Sequence, residues 1–467
     1  MIDLSLHNID QNSIGLLSDF DSYKKDLSKP RIKEIIWNNL EWLESIDESG
    51  IAREVILDNV YQTLLCKTVY LGFDAFDCDN CDNWIWLFRH CHSRFCSSCG
   101  IKLQKTLASK AETMCIDIKH RHMVFTIPEE YRELFRKDRE SLNILFVASR
   151  NTLMKLFNNS LFNKVRRKKG IVKNPKDNYY LFRNYNGLNE FGEIATLHTF
   201  GRDLKWNPHI HALVPELIYN SKKNEIKRFN HFNYASLRHT WMYEVNRLLL
   251  ERYPNDKIIK RLIDNSYKKR DHGFYVYAKV DERNKERNLK DVNGCVSYMM
   301  RYAGRPVMAE SRITSYDSKT DSVSWWYEDH KTEKRIVVNE TGKKLLGKMI
   351  IHIPDKHFRM IRYYGFYSNK SGALLDKINE LLGKKFPYKH TTNKQTRKYL
   401  LKKKLESLKF RTHIADSYNR DILKCGCSGT FRYVYTCNPL EGKRNDRYYK
   451  QGCINEMRSL WLQRSNR

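Results

Sequence analysis

The chain has 467 residues, and its 84 Lys and Arg outnumber 54 Asp and Glu, so the formal net charge of +30 favours a polyanionic partner, nucleic acid first. A hydrophobic fraction of 41% with only 20 Gly and 10 Pro excludes a largely disordered chain. No apolar run approaches the ~20 residues of a membrane-spanning helix and no signal peptide is evident, so we expect a cytoplasmic, nucleoid-associated protein without a membrane partner.

The N-terminal region combines a helical start with a block of cysteines. Apolar residues recur at helical spacing within residues 1–70, which predicts helices there. Five of the 12 cysteines then crowd into residues 78–99. That crowding is typical of a metal site in a reducing compartment rather than of a disulfide framework.

Two cysteine pairs in this block have the spacing of zinc knuckles. They are Cys78-Asp-Asn-Cys81 and Cys96-Ser-Ser-Cys99, with 14 residues between them. Each pair lets two thiolates converge on one ion, and two pairs complete a tetrahedral site. The predicted ligands of one structural zinc are Cys78, Cys81, Cys96 and Cys99, with Cys91 as an alternate. Arg94 lies beside them and is a candidate DNA contact.

The middle of the chain alternates between strand and helix patterns. Met123–Ile127 predicts a strand, and a helical pattern follows over residues 129–157. Ile194–Phe200 and His209–Val214 predict two further strands, and residues 232–252 a second long helix. This order predicts a sheet with helices packed on it.

Two histidines lie on the last of these strands. His209 and His211 are two residues apart, so their imidazoles share one face while Ile210 points to the other. Such a pair can hold one divalent ion and leave positions open for a phosphate. His198 is the best candidate for a third ligand, because an antiparallel return would bring it alongside. A buried structural pair is the alternative, since two other His-x-His sequences occur in the chain.

Two tyrosines lie four residues apart in a helix predicted at residues 291–303. Tyr298 and Tyr302 therefore project from one face, one turn apart, shortly before Arg305. Two tyrosines that only pack are the alternative, because a chain with 28 Tyr is expected to contain such a pair by chance.

The C-terminal part contains a predicted strand at residues 322–327 and a strongly basic stretch at residues 384–411. Within that stretch Lys402, Lys403 and Lys404 are candidate DNA contacts on a helix or arm. A solvated charged helix is the alternative. Trp206 is a candidate platform for an unpaired base, although burial in the core is the commoner fate of Trp.

The three motifs occur in the order zinc knuckles, histidine strand, tyrosine helix. That order resembles the rolling-circle transposases of the insertion-sequence-91 family, which are HUH endonucleases with two tyrosines and an N-terminal zinc-binding domain. The resemblance runs from about Val55 to Tyr435. The matching sequence segments are Cys91-His-Ser-Arg-Phe-Cys-Ser-Ser-Cys-Gly100, Leu197-His-Thr-Phe-Gly201, Pro208-His-Ile-His211, Tyr298-Met-Met-Arg-Tyr302, Arg305-Pro306, His352-Ile-Pro354 and Phe358-Arg-Met-Ile-Arg-Tyr-Tyr-Gly365.

The resemblance implies an α+β fold, in which an HUH (Rep-like) antiparallel sheet carries packed helices. A helical, zinc-ribbon-like domain would precede it and a basic region would follow it. We expect a zinc-binding N-terminal domain at residues 1–110 and the nuclease domain with its tyrosine helix at 111–310. A β-containing accessory segment would occupy residues 311–380, and a DNA-binding region residues 381–467.

The same resemblance implies a transposase that cleaves and rejoins single-stranded DNA at transposon ends. The histidine pair, with His198, would hold Mg²⁺ or Mn²⁺. Tyr298 or Tyr302 would attack the scissile phosphate and give a 5′-phosphotyrosine and a free 3′-hydroxyl. Arg305 would contact the DNA, and a host helicase is a further candidate partner.

Two other classes of protein use parts of this pattern. A replication initiator of the HUH nickase type would use the same chemistry, and a non-catalytic zinc-dependent DNA-binding protein would explain the charge and the knuckles alone. The C-terminus departs from the family pattern, because Cys425-Gly-Cys427 stands where such proteins often carry a cysteine pair resembling a knuckle. With only Cys437 as a distant companion, this pair leaves a second zinc site open.

Overall fold

The computed structural model describes residues 32–93, 95–97, 99–100, 114–116, 118–169, 188–229, 232–278, 306–329, 332–383, 423–439 and 446–465. Within these ranges the fold is mixed α and β, and its sheets are antiparallel. None of the helices in the described ranges has both the length and the apolar character needed to cross a bilayer.

Helices and short strands alternate along the described residues. The helices are α1 (Ile32–Asn38), α2 (Leu40–Glu48), α3 (Glu54–Leu65), α4 (Glu129–Lys137), α5 (Leu142–Lys169), α6 (Tyr234–Arg252), α7 (Lys257–Lys269), α8 (Gly342–Ile350), α9 (Gly372–Leu381) and α10 (Arg447–Ser465). The strands are β1 (Phe73–Cys78), β2 (Trp84–Phe88), β3 (His120–Thr126), β4 (Asn189–Glu190), β5 (Gly192–Phe200), β6 (Trp206–Pro215), β7 (Leu217–Asn220), β8 (Glu225–Arg228), β9 (Val276–Tyr277), β10 (Ile313–Asp317), β11 (Ser322–Glu328), β12 (Arg335–Thr341), β13 (Ile361–Gly365) and β14 (Phe431–Cys437).

A five-stranded sheet in the order β13-β5-β6-β3-β9 is the largest sheet in the described residues. Its middle strands β5 and β6 are joined by a short turn, in which the Leu204 amide donates to the Gly201 carbonyl over 3.2 Å. The two strands run antiparallel, as the sequence predicts, and the register places His198 opposite His209. The sheet therefore brings the three candidate histidines onto adjacent strands.

Helices α4, α5 and α6 cover one face of this sheet. Alternate strand residues point into that core, so Phe125, Ile210 and Ala212 are fully buried against helix residues such as Phe146 and Trp241. Burying an apolar side chain of this size contributes about 1.5–3 kcal/mol. The intervening residues, the histidines among them, must therefore face the other side.

The single helix predicted at residues 129–157 is wrong, because the chain breaks between α4 and α5. Asp138 has φ −110° and ψ 93°, and its carboxylate accepts hydrogen bonds from the amides of Glu140 and Ser141. The side chain thus caps a short 3-10 turn, Arg139–Ser141, that redirects the chain. Periodicity alone cannot reveal such a break, since apolar residues recur on both sides of it.

The N-terminal helices pack around the cysteine block. Residues of α1 and α3 share one core with Cys66, Cys91 and the strands β10–β12. The C-terminal strand β14 pairs with β1 and completes a three-stranded sheet, β14-β1-β2. The domain boundaries stay a prediction. Strand β13, in the predicted accessory segment, pairs with β5 of the predicted nuclease domain. Strand β14, in the predicted C-terminal region, pairs with β1 of the predicted N-terminal domain.

Candidate active site and metal centres

The three candidate histidines occupy the centre of the five-stranded sheet. His209 and His211 lie on β6, between β5 and β3, and His198 lies on β5. His198 and His211 are buried, and His209 is half-buried. The two-residue repeat of the strands directs all three rings to the face opposite the helical core.

The ring nitrogens of these histidines are arranged as metal ligands would be. His209 Nε2 lies 3.0 Å from His211 Nε2. One ligand atom of each of the three residues lies within 4.8 Å of the others. Two nitrogens bound at right angles to one ion, each at about 2.1 Å, are about 3.0 Å apart. The donor set therefore fits a divalent ion that prefers octahedral coordination.

Hydrogen bonds select the tautomers that such an ion requires. His209 Nδ1 lies 2.6 Å from the Asn207 carbonyl oxygen, to which it donates, so the lone pair is on Nε2. His211 Nδ1 lies 2.8 Å from Nε2 of His122, a residue of β3. When His211 donates in this contact, the lone pair of its own Nε2 can bind a cation.

His122 was missed as a site residue by the sequence analysis. Its signal was present, because His120 and His122 form one of the other His-x-His sequences on a predicted strand. What the sequence did not show is that β3 pairs with β6, which lays the His122 ring parallel to that of His211 with centroids 5.1 Å apart.

Burial keeps the two β6 histidines neutral. It lowers the pKa of His209 to about 4, and it lowers that of His211 well below the ordinary value, with the neighbouring imidazoles adding to the effect. A neutral imidazole keeps its lone pair, so both rings are ready to bind a cation at neutral pH.

Trp206, predicted as a platform for an unpaired base, is buried in the structure. The ring is buried beneath His352, with the centroids 5.7 Å apart and the planes almost parallel, and the Arg139 guanidinium lies 4.7 Å from its centre. Its Nε1 donates to the Arg132 carbonyl over 2.9 Å. This burial favours a packing role for the indole, and the DNA contact of Trp206 stays a prediction from the sequence.

The cysteines form two clusters instead of the single predicted site. Cys96 and Cys99 come together with Cys91 and with Cys66, which follows α3 and which the spacing argument omitted. The sulfur atoms of Cys66 and Cys99 are 3.5 Å apart, as are those of Cys91 and Cys99. A tetrahedral zinc with bonds of about 2.3 Å separates its sulfurs by about 3.8 Å, so this buried set fits zinc.

Hydrogen bonds within the first cluster favour a thiolate at Cys66. Hydrogen bonds from the sulfhydryls of Cys91 and Cys96 lower the pKa of Cys66 to about 5, whereas contacts with Cys66, Cys96 and Cys99 raise that of Cys91 well above its ordinary value. The Cys91 amide points at Cys66 Sγ from 3.4 Å and further stabilises a thiolate there. Thiolates are the form in which cysteine binds zinc.

Cys78 and Cys81 belong to a different cluster. They lie with Cys425 and Cys427, and the four sulfurs are within 4.8 Å of one another. The prediction from the sequence pairs them with Cys96 and Cys99 because it depends only on spacing along the chain. The turn after β1 instead lies beside the chain just before β14, so the ligands come from two segments that are far apart in the sequence.

Several predicted site residues lie outside the described residues. They are Arg94, Tyr298, Tyr302, Arg305, Lys402, Lys403 and Lys404. The predicted helix at residues 291–303 and the basic stretch at 384–411 lie outside them as well. Their roles stay predictions from the sequence.

Two family models match the chain. One is described as a putative transposase and matches residues 192–373, and the other is described as a transposase zinc-binding domain and matches residues 40–127. The first match begins at β5 and includes the three histidines. The second includes all four residues of the first cysteine cluster. Together the two matches span more than half of the chain.

Individual proteins are similar over most of their length. The transposase for insertion sequence element IS801 of Pseudomonas savastanoi pv. phaseolicola is 27% identical over 357 residues, which are 75% of this chain and 80% of that protein. Putative transposase y4qJ of Sinorhizobium fredii (strain NBRC 101917 / NGR234) is 22% identical over 340 residues, 69% of this chain and 77% of that protein. No solved structure matches the chain significantly. Both halves of the family pattern, the zinc-binding part and the histidine sheet, are thus present in one protein, and the chain belongs to the insertion-sequence-91 family of transposases.

Proposed function

We propose that this transposase cleaves and rejoins single-stranded DNA at transposon ends, by rolling-circle transposition through 5′-phosphotyrosine intermediates. The observation that carries the proposal is the contact between His209 and His211, whose Nε2 atoms are 3.0 Å apart on a central strand. Such an antiparallel sheet with a histidine pair on its middle strand is the arrangement expected of an HUH nuclease.

The protein supplies a rigid platform for the ion. His209 and His211 are anchored through their Nδ1 atoms, and His198 approaches from the neighbouring strand with its ring centroid 4.6 Å from that of His211. Mg²⁺ or Mn²⁺ held by these residues would polarise the scissile phosphate and stabilise charge on its oxygens. Since helices α4 to α6 fill the opposite face, the DNA and the nucleophile must approach the histidine face.

The nucleophiles of the proposal are Tyr298 and Tyr302. The phenol oxygen of one tyrosine forms a bond to phosphorus, the bond from phosphorus to the 3′ oxygen breaks, and the leaving 3′ oxygen takes a proton. The phosphotyrosine keeps the energy of the broken ester, so strand joining needs no nucleotide cofactor. Two tyrosines let one hold the first strand end while the other cleaves the next.

Positive charge attracts the DNA to the protein. The net charge of +30 favours any nucleic acid, and Arg94, Arg305 and the lysines at 402–404 are the proposed phosphate contacts. Zinc bound by the first cysteine cluster would hold the N-terminal region in shape, since a closed set of four thiolates leaves no open position for catalysis.

The alternatives explain less of the molecule. A replication initiator would share the chemistry, but the matches to a transposase and to its zinc-binding domain favour transposition. A purely DNA-binding protein would give no role to three histidines that converge in a sheet, with two of them kept neutral by burial.

A gel assay tests the proposal directly. Full-length protein is mixed with single-stranded oligonucleotides of the element's end and Mg²⁺ or Mn²⁺, and we expect a protein–DNA adduct that survives denaturation. Tyr298→Phe combined with Tyr302→Phe removes both nucleophilic hydroxyls and should abolish the adduct. Tyr448→Phe is the matched control, because that ring is 85% exposed at the start of α10 and should leave the adduct intact. An adduct that persists in the double variant would overturn the assignment.

A further inference from the structure

We propose that Cys78, Cys81, Cys425 and Cys427 bind a second zinc ion, which fastens the C-terminal strand to the N-terminal zinc-binding region. Two of these ligands lie outside residues 40–127, the range that matches the zinc-binding family. The cluster shares no residue with the first one.

The sulfur geometry fits a tetrahedral ion. Sγ of Cys78 lies 3.5 Å from that of Cys427, and Sγ of Cys81 lies 3.6 Å from that of Cys425. These separations are close to the edge of about 3.8 Å that zinc–sulfur bonds of about 2.3 Å produce. Each pair joins one sulfur from residues 78–81 to one from residues 425–427, so both segments contribute two ligands.

Polar groups around the cluster point at the sulfurs. The Asn80 amide lies 3.4 Å from Cys78 Sγ, and the side-chain amide of Asn83 lies 3.5 Å from Cys425 Sγ. Hydrogen bonds of this kind stabilise thiolates and orient them as second-sphere contacts of a metal do. Both donors belong to the segment that contains Cys78 and Cys81, and they contact one sulfur of that segment and one of the C-terminal pair.

The C-terminal loop is shaped in the same way. The Cys425 amide donates to the Gly429 carbonyl over 2.9 Å, and the Ser428 amide donates to the Cys425 carbonyl over 3.1 Å, so the loop turns tightly round the two sulfurs. A Cβ at position 429 would lie 2.7 Å from Cys78 Sγ. The close approach of backbone to sulfur requires glycine here.

The two loops also bind each other. The Asp79 amide donates to the Thr430 carbonyl over 3.1 Å, and the Thr430 amide donates to the Asp79 carboxylate over 2.7 Å. From this point β1 and β14 pair along their length. An ion at the cluster would therefore hold together one end of the β1–β14 pair, two strands that are more than three hundred residues apart in the sequence.

Metal analysis of the full-length protein tests this inference. Since each four-cysteine cluster takes one ion, we expect two zinc ions per chain by mass spectrometry, and one after Cys425→Ser combined with Cys427→Ser. Cys437→Ser is the matched control: it removes a cysteine from the same segment, on β14, that belongs to neither cluster, and should leave two. One zinc in the unaltered protein, or two in the double variant, would overturn the proposal.

Two further measurements keep the test independent of variant folding and of DNA cleavage. In the unaltered protein, alkylation should reach Cys78, Cys81, Cys425 and Cys427 only after a chelator removes zinc, and labelling before chelation contradicts the site. Amide hydrogen exchange at residues 431–437 should become at least about tenfold faster on chelation, because β14 loses its anchor. Unchanged exchange there would overturn the fastening role.

Discussion

At the scale of single residues, the chemistry depends on which nitrogen of each histidine carries the proton. His209 has its tautomer set by a backbone carbonyl of its own strand, whereas His211 depends on another side chain, His122. A carbonyl cannot be removed by substitution, but His122 can. His122 is therefore a positioning residue whose effect on the ion can be measured separately from the ligands.

Replacing His122 should weaken metal binding without removing a ligand. We expect His122→Ala to lower the affinity for Mn²⁺ by about 10–100-fold, the usual cost of losing a second-sphere partner. His122→Gln should recover part of the loss, because its amide oxygen can still accept from His211 Nδ1. Calorimetric titration of the full-length protein gives both values.

His272→Ala serves as the control for that titration, since His272 is an exposed histidine beyond the end of α7 and should leave the affinity unchanged. An unaltered affinity in His122→Ala would contradict the positioning role.

At the scale of elements, the break between α4 and α5 decides how the helices cover the sheet. Asp138 makes this break with more than its cap, because its carboxylate also accepts from Arg252 Nε over 2.7 Å and from the Tyr253 hydroxyl. One side chain thus joins the start of α5 to the end of α6. These two helices cover the sheet behind the histidines, so the junction supports the site from behind.

Asp138→Ala should destabilise the fold and leave the metal ligands in place. The loss of the cap alone costs about 1–2 kcal/mol in the free energy of unfolding, which denaturant titration can measure. Asp264→Ala, in an exposed position on α7, is the control and should change this free energy by less than about 0.5 kcal/mol. A stability equal to that of the unaltered protein would mean that neighbouring contacts suffice to hold the turn.

At the scale of the whole molecule, charge and chain topology act together. The excess of 84 basic over 54 acidic residues gives the protein a long-range attraction for DNA that requires no base sequence. The pairing of β14 with β1 returns the C-terminal segment to the N-terminal region. The segments that contain β1 and β14 therefore share one sheet, and the histidine sheet lies between them in the sequence.

Binding to single-stranded DNA should weaken steeply as salt rises. Each phosphate neutralised by Lys or Arg contributes about 0.7 to the slope of log affinity against log salt concentration. Replacing Lys402, Lys403 and Lys404 by Ala should reduce that slope by about 2 if all three contact phosphates, as fluorescence anisotropy can show. Lys222→Ala with Lys223→Ala, exposed in the turn between β7 and β8, is the control. An unchanged slope in the triple variant would exclude these lysines from the DNA contact.

The sequence by itself determined the features that depend on the local periodicity of side chains along a strand or helix. Alternation along β6 placed His209 and His211 on one face and Ile210 on the other, because a strand turns each successive side chain to the opposite side. The short link from β5 to β6 made an antiparallel return the natural geometry, and so brought in His198. The order of the motifs was enough to indicate the family.

Only the tertiary structure decided which distant groups meet. Cys66 joins Cys99, and Cys425 joins Cys81, because helix packing and the β1–β14 pairing bring those sulfurs together. His122 meets His211 for the same reason, through the pairing of β3 with β6. Spacing along the chain predicts only which near neighbours can share a site. Contacts between residues that are distant in the sequence depend on the burial and hydrogen bonding of the whole fold. The cysteine spacing therefore predicted one site where the structure has two clusters.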